Sequence, residues 1–381
     1  MQAQYLNIGA RHRQITALHA SLADFSVTPS EPVGADITYA DPALSLYCLD
    51  QSTQQAIFVE LPPDVDLARA PLFYLTQYIS ARRLLAVPFD TFRQLGRELP
   101  EVERLVMTYM TGRSGSTLLS HLFNTVDSVR SFSEPDVPTH FVHLRRAEGL
   151  PETELRELLD STVRFLFKPT PFKAPSVLAL KLRGEGTQLM ELFQASFPQV
   201  RNLFSYRGAF GFVRSFYRIL TRDRNPAPTP VDQLVARFRR FTTYDVTPLL
   251  DCLDPGTTTL STLQFLTVWW MAAMEWYLEQ QARGIPALAI RYDDLNKRRE
   301  QVISSVFQYC GLPTAAVPQA LAAFEQDAHA GTPLARDIPD QGNQLHLSEE
   351  QREEILRILK RHPTIQGPDF VVPGTLQVLE I

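Results

Sequence analysis

Residues 106–123, VMTYMTGRSGSTLLSHLF, constrain the fold more than any other stretch of the chain. Val106 to Met110 are apolar or β-favouring and read as a buried strand. Gly112 and Gly115 fall in the turn that follows, where backbone amides converge and a side chain would obstruct them. Ser116 and Thr117 then open a helix whose Leu118, Leu119, Leu122 and Phe123 make one apolar face. A strand feeding a glycine-containing turn at a helix N-terminus makes an anion site. The unpaired N–H groups of the first turn point at the ligand, and the helix dipole favours negative charge. Arg113 adds a fixed positive charge to that turn.

Strands and helices alternate beyond this point. The patterns predict a strand over 104–110, a helix over 116–126, helices within 137–168, a strand over 177–183, a helix over 187–197, a strand over 201–207 and a helix over 209–221. Such alternation predicts an α/β fold: a P-loop-like three-layer core around a central parallel sheet, with ligands at the C-terminal ends of the strands. Residues 1–98 do not follow this pattern. ALSLYCL (43–49) and QAIFVELP (55–62) read as two strands joined by a turn at 50–53, and 66–84 and 88–98 carry helical patterns punctuated by Pro71 and Pro88. The expected organisation is an N-terminal α+β accessory unit over 1–98 and an α/β domain over 99–381.

The anion turn departs from the nucleotide P-loop, GxxxxGK-S/T. Gly115 and Thr117 are in register, but Ser116 replaces the Lys and Met110 stands where the first glycine belongs. Triphosphate chemistry uses that Lys on the β- and γ-phosphates, so the turn suits a single 5′-phosphate with a transferable group beyond it. TGRSGSTLLSHLF resembles the 5′-phosphosulfate loop of sulfotransferases that use 3′-phosphoadenosine 5′-phosphosulfate (PAPS). It is closest to the RSG-S/T-S/T form of the carbohydrate and tyrosylprotein enzymes. In LFSYRGAFGFVRSFYRIL (203–220), Arg207 ends a strand and Ser215 follows after seven residues, as in the family's 3′-phosphate pair. Gly208-Ala209 departs from the family's usual Asp-Pro or Asn-x at this point. VLALKLR (177–183), TQLMELFQASFP (187–198) and ALAIRYDDL (287–295) are similar to further family elements, in the family's order.

The resemblance implies PAPS as donor and 3′,5′-adenosine bisphosphate (PAP) as product. It places Arg113, Ser114, Gly115, Ser116 and Thr117 on the 5′-phosphate and Arg207 and Ser215 on the 3′-phosphate. A guanidinium binds phosphate through two parallel N–H donors, and a hydroxyl adds a neutral one. FSEPDV (132–137) is similar to the family's Glu-Pro element, which implies Glu134 as general base; His140 or His143 is the alternative, since many small-molecule sulfotransferases use a His. Lys181 matches a strand-end Lys that touches the sulfonate or the bridging oxygen, and joins Glu134 and Arg113 as a catalytic candidate. The aspartates of YDDL are expected to hold a loop. No metal is implied. The acceptor is a hydroxyl on a sugar, lipid, tyrosyl peptide or small metabolite, and this choice and the oligomeric state stay open. Two other readings remain: a P-loop-type phosphotransferase, and a non-catalytic protein that binds adenosine bisphosphate on a sulfotransferase core.

Composition narrows the classes further. The formal charge of −5 over 381 residues gives no general attraction to nucleic acid or anionic membrane. An anionic donor must be held by local charge, from Arg113, Lys181, Arg183, Arg207 and Arg214. Cys48, Cys252 and Cys310 have no metal spacing and read as buried thiols. The longest apolar run, FLTVWWMAAMEWYL (265–278), is interrupted by Glu275 and too short to span a bilayer. With no apolar signal core in MQAQYLNIGARHRQ, the expectation is a cytoplasmic enzyme. Trp269, Trp270, Trp276 and Tyr277 are expected in the core of a long helix over 259–283. Residues 222–232 are expected as a loop near the acceptor, and the family resemblance implies a loop closing over the donor at 324–346. A helix over 348–362 is expected with Ser348 as its N-cap.

Overall fold

Several strands of the computed structural model, which describes residues 1–13, 19–146, 150–168, 175–221, 226–325 and 346–377, are apolar runs with no room for alternation. The strands are β1 (Gln2–Arg11), β2 (Phe25–Gly34), β3 (Leu44–Asp50), β4 (Gln55–Glu60), β5 (Arg83–Pro88), β6 (Leu105–Met110), β7 (Val129–Ser133), β8 (Val177–Lys181), β9 (Arg201–Tyr206), β10 (Thr229–Pro230), β11 (Thr259–Leu260) and β12 (Leu288–Arg291). The fold is α/β, as expected: a central parallel sheet of five strands in the order β12-β9-β6-β8-β7, and a separate five-stranded sheet in the order β2-β1-β5-β4-β3. By internal contacts the chain divides into two compact units, Met1–Met107 with Leu119–Arg201, and Thr108–Leu118 with Asn202–Ile381.

The first unit contains the antiparallel sheet. β3 and β4 form the expected hairpin, with Leu44 opposite Glu60 and Asp50 opposite Gln55. The helical reading of 66–84 needs correction. The helix is Phe73–Ser80, and β5 follows it. Leu84, Leu85, Ala86 and Val87 are all buried, so this strand shows no period of two and its apolar run passes for part of a helix. β2 was hidden for the opposite reason. It is an edge strand carrying Pro29 and Pro32, residues that lose no ladder hydrogen bond only at an edge.

The same unit holds β7 and β8, which pair in parallel from Val129 opposite Val177 to Ser133 opposite Lys181. β7 is a further strand that sequence reasoning missed. Its VRSFS reads as polar, yet all five residues are buried. Two of its polar residues find partners: Ser131 Oγ lies 2.7 Å from Ser120 Oγ, and Arg130 donates to the Lys168 carbonyl at 2.6 Å. The expected helix over 187–197 begins as a 3₁₀ turn at Gly184–Leu189 and becomes α-helical over Met190–Ser196.

In the second unit β9 and β12 pair in parallel, from Leu203 opposite Leu288 to Tyr206 opposite Arg291. The long helix runs Thr262–Ala282 behind a Ser261 capping box. Trp270, Trp276 and Tyr277 are fully buried in it, as expected of core residues. Trp269 is only half-buried and stacks on Phe216 at 5.6 Å. Ser348 caps Glu349–Leu359. Of the expected loop at 222–232, residues 222–225 lie outside the described residues, and the remainder leads through β10 into a helix, Val231–Thr242. The expected donor-closing loop also lies almost wholly outside the described residues. Cys48, Cys252 and Cys310 are buried. Among the described residues no helix is long and apolar enough to cross a membrane.

Candidate active site

The expected residues fall into two constellations, one in each unit. In the second unit, β6 ends at Met110 and the helix Ser116–Asn124 starts six residues later. The turn between them requires a left-handed backbone three times, at Gly112 (φ 94°), Arg113 (φ 53°) and Gly115 (φ 81°). The two glycines adopt this freely; Arg113 does so at a cost of about 1 kcal/mol or more. A Cβ on Gly112 would meet the Phe216 ring at 3.3 Å, and one on Gly115 the Tyr292 ring at 3.0 Å. Nothing larger than glycine fits either position without displacing its neighbour.

The turn is tied to the end of β9. Thr111 N–H donates to the Ser205 carbonyl at 3.1 Å, and Ser205 Oγ donates to the Ser114 carbonyl at 2.6 Å. Arg207 Nη1 donates to the Arg113 carbonyl at 3.3 Å. The Arg113 side chain reaches the helix Ala209–Thr221, where its Nε donates to Ser215 Oγ at 2.9 Å. The structure therefore brings Arg113, Arg207 and Ser215 together, with Ser215 bonded to Arg113 rather than to Arg207. Arg207 is itself fixed. Its guanidinium lies 4.3 Å from the Tyr292 ring centre and its carbonyl accepts from Trp270 Nε1 at 2.8 Å. Desolvation lowers the pKa of Arg207, with Arg214 adding repulsion and Tyr292 opposing. A bound phosphate would relieve both penalties. Arg207, Arg214 and Arg352 line one cavity of about 210 Å³. The Ser114 hydroxyl is fully buried with no hydrogen-bond partner among the described residues.

Tyr292 and Arg352 were not singled out from sequence. Tyr292 had a signal, since it stands one residue past β12. The aspartates beside it need correction. Asp293 and Asp294 lie in a helix, Tyr292–Lys297, rather than a loop, because acidic residues in a first turn face the positive end of the dipole. Gly115→Ala follows from this packing as a prediction. A Cβ at φ 81°, pressed onto Tyr292 and Leu295, should cost about 1–3 kcal/mol by denaturant unfolding. Unchanged stability would contradict the packing described.

In the first unit, Glu134 follows β7 with φ 59°, a left-handed backbone in a residue other than glycine. Its N–H donates to the Lys181 carbonyl at 2.7 Å, and its Oε1 accepts from Lys181 Nζ. Lys181 is buried at the end of β8 and Glu134 is only slightly exposed. The structure thus joins these two expected residues through both main chain and side chain. His140 and His143 pack with His19 as three rings with centres 5.1–5.8 Å apart. Desolvation, with His19 and His143 adding repulsion, draws His140 down to about 3. A base so weak cannot hold a proton near neutral pH.

No protein-family model and no curated protein matches the chain. Solved structures similar to the chain include sulfotransferases. One from Alicyclobacillus acidocaldarius is 10% identical, covers 67% of this chain and 93% of that one, and gives a TM-score of 0.37. The sulfotransferase domain from the curacin biosynthetic pathway is 16% identical over 68% of this chain and 98% of that one, with a TM-score of 0.40. A third, from Mycobacterium avium, is 13% identical over 64% and 74%, with a TM-score of 0.35. Likeness at this level assigns neither donor, acceptor nor residue roles.

Proposed function

We propose that the protein is a PAPS-dependent sulfotransferase of the RSG-S/T-S/T type, with residues 99–381 as the sulfotransferase domain and 1–98 as an accessory region. The observation that carries this reading is the linkage of the glycine turn to two arginines: Arg113 bonded to Ser215, and Arg207 bonded to Arg113. A P-loop phosphotransferase would put a Lys where Ser116 stands, and the Ser116 hydroxyl instead meets Met110 Sδ at 2.8 Å. The buried Ser114 hydroxyl and the close packing at Gly112 and Gly115 suit a turn that wraps an anion.

In this reading Arg113, the turn amides of Ser114 to Thr117, and the Ser116 and Thr117 hydroxyls take the 5′-phosphate. Arg207 and Ser215 take the 3′-phosphate, far from the reacting bond, so that binding there positions the sulfuryl group. The acceptor oxygen forms a bond to sulfur as the bond from sulfur to the 5′-phosphate oxygen breaks. The acceptor proton passes to Glu134, and the electron pair of the broken bond leaves on PAP. Lys181, held by Glu134 in the free protein, is the cation for the sulfonate or bridging oxygen. The acceptor is a hydroxyl compound. Buried cysteines kept as thiols suit a reducing, cytoplasmic setting.

Calorimetric titration with PAP, with and without Mg²⁺, tests the reading. Metal-independent binding is expected. Absence of binding, or binding only of triphosphates with Mg²⁺, would transfer the site to a phosphotransferase.

A further inference from the structure

Two residues beyond Glu134, the Asp136 carboxylate is buried among groups from three separate parts of the first unit. Arg13 Nη2 pairs with Oδ2, the Ala20 N–H donates to the same oxygen at 2.8 Å, and Arg183 Nε lies 2.8 Å from Oδ1. Arg13 is held in turn, donating to Tyr47 Oη at 3.1 Å and lying 3.5 Å from Asp24. Both guanidiniums lie over the Tyr74 ring, Arg13 at 4.7 Å and Arg183 at 4.1 Å. Burial pushes the Asp136 carboxyl up, but Arg183 and Arg13 outweigh it and hold the group below the usual carboxylate range.

A buried ion network of this kind adds little stability over well-packed apolar residues, and its best-attested use is to fix one arrangement of the chain. The arrangement fixed here is the turn at Glu134. Ser133 stands opposite Lys181 at the end of the β7–β8 ladder. Beyond it, Glu134 pairs with Lys181 and Asp136 with Arg183, two rungs with the same spacing on both segments. Glu134 holds its left-handed backbone between these rungs, and such conformations persist only where the surroundings over-determine them. Arg13 and the Ala20 N–H supply the third and fourth ties.

We infer that Asp136 and Arg13 are positioning residues, which act through Glu134 by holding its turn. In this way the N-terminal accessory region takes part in sulfuryl transfer. The inference rests on the reading of Glu134 as base, and a double-mutant cycle separates the two. The unaltered protein, Arg13→Met, Glu134→Gln and the double variant are compared for release of labelled sulfate from PAPS with water as acceptor, for PAP affinity by calorimetry, and for thermal midpoint. Arg13→Met is expected to slow release about a hundredfold, the cost of a misplacement near 1 Å, with PAP affinity within about twofold. In the Glu134→Gln background it is expected to cost nothing further. If Arg13→Met does not fold, Arg13→Lys keeps the charge without the fork and is expected to show a smaller loss with the same non-additivity. An equal cost of the Arg13 change in both backgrounds, or no cost at all, overturns the inference. Full release by Glu134→Gln alone removes Glu134 as base, and no label moved by the unaltered protein to water or to any hydroxyl acceptor removes the sulfotransferase reading; this inference falls with either.

Discussion

Glu134→Gln is expected to lower turnover by about 10²–10⁴-fold, the usual worth of a positioned general base, while PAP affinity stays near that of the unaltered protein. Gln keeps the shape of the side chain but cannot take the acceptor's proton. It also leaves Lys181, which is buried, facing a neutral amide in place of a carboxylate. Hydrogen bonds to charged groups contribute about 1.5–3 kcal/mol, so a moderate fall in unfolding midpoint should accompany the loss of turnover. Donor affinity is the discriminating readout, because Glu134 has no part in phosphate binding in this account. The alternative base, His140, is the weaker candidate on physical grounds. Desolvation and two neighbouring imidazoles draw it to about 3, so it would abstract a proton with little driving force. Turnover retained in Glu134→Gln and lost in His143→Gln would move the role to His143.

Arg207→Ala is expected to weaken PAP binding about 100- to 1,000-fold. Truncating one partner of a buried, hydrogen-bonded charge pair costs about 2–5 kcal/mol, and Arg207 is largely buried against Tyr292. In the proposed reading the change removes the 3′-phosphate contact along with the bond to the Arg113 carbonyl. Adenosine 5′-phosphate separates these two effects. It lacks the 3′-phosphate, so its affinity should fall only by the part that reflects loosening of the glycine turn. Equal losses for both nucleotides would mean that Arg207 supports the turn without reading the 3′-phosphate. Unchanged PAP affinity would remove Arg207 from the site.

The glycine turn after β6 was legible because it needs backbone that only glycine adopts cheaply, and Gly112 and Gly115 advertise that need. The helix Ala209–Thr221 was legible with its boundaries, since its apolar face repeats at helical spacing. β7 was not, because its polar residues are buried by partners distant in sequence, Ser131 by Ser120 and Arg130 by Lys168. β5 was not, because a strand buried on both faces has no alternation to read. The pairing of Ser215 with Arg113 depends on how a long side chain turns, which spacing does not record. The ties of Arg13 and Ala20 to Asp136 join residues more than a hundred positions apart, and no local pattern marks either end.

Transfer of labelled sulfur from PAPS tests the central claim most directly. The protein is incubated with the donor, without Mg²⁺, and with sugar, lipid, tyrosyl-peptide and small-metabolite hydroxyls in turn. The account predicts a labelled sulfate ester with at least one of these classes, one PAP formed for each ester, and loss of both in Glu134→Gln. Tight PAP binding with no label moved to any hydroxyl would contradict it and leave a nucleotide-binding protein without transferase activity.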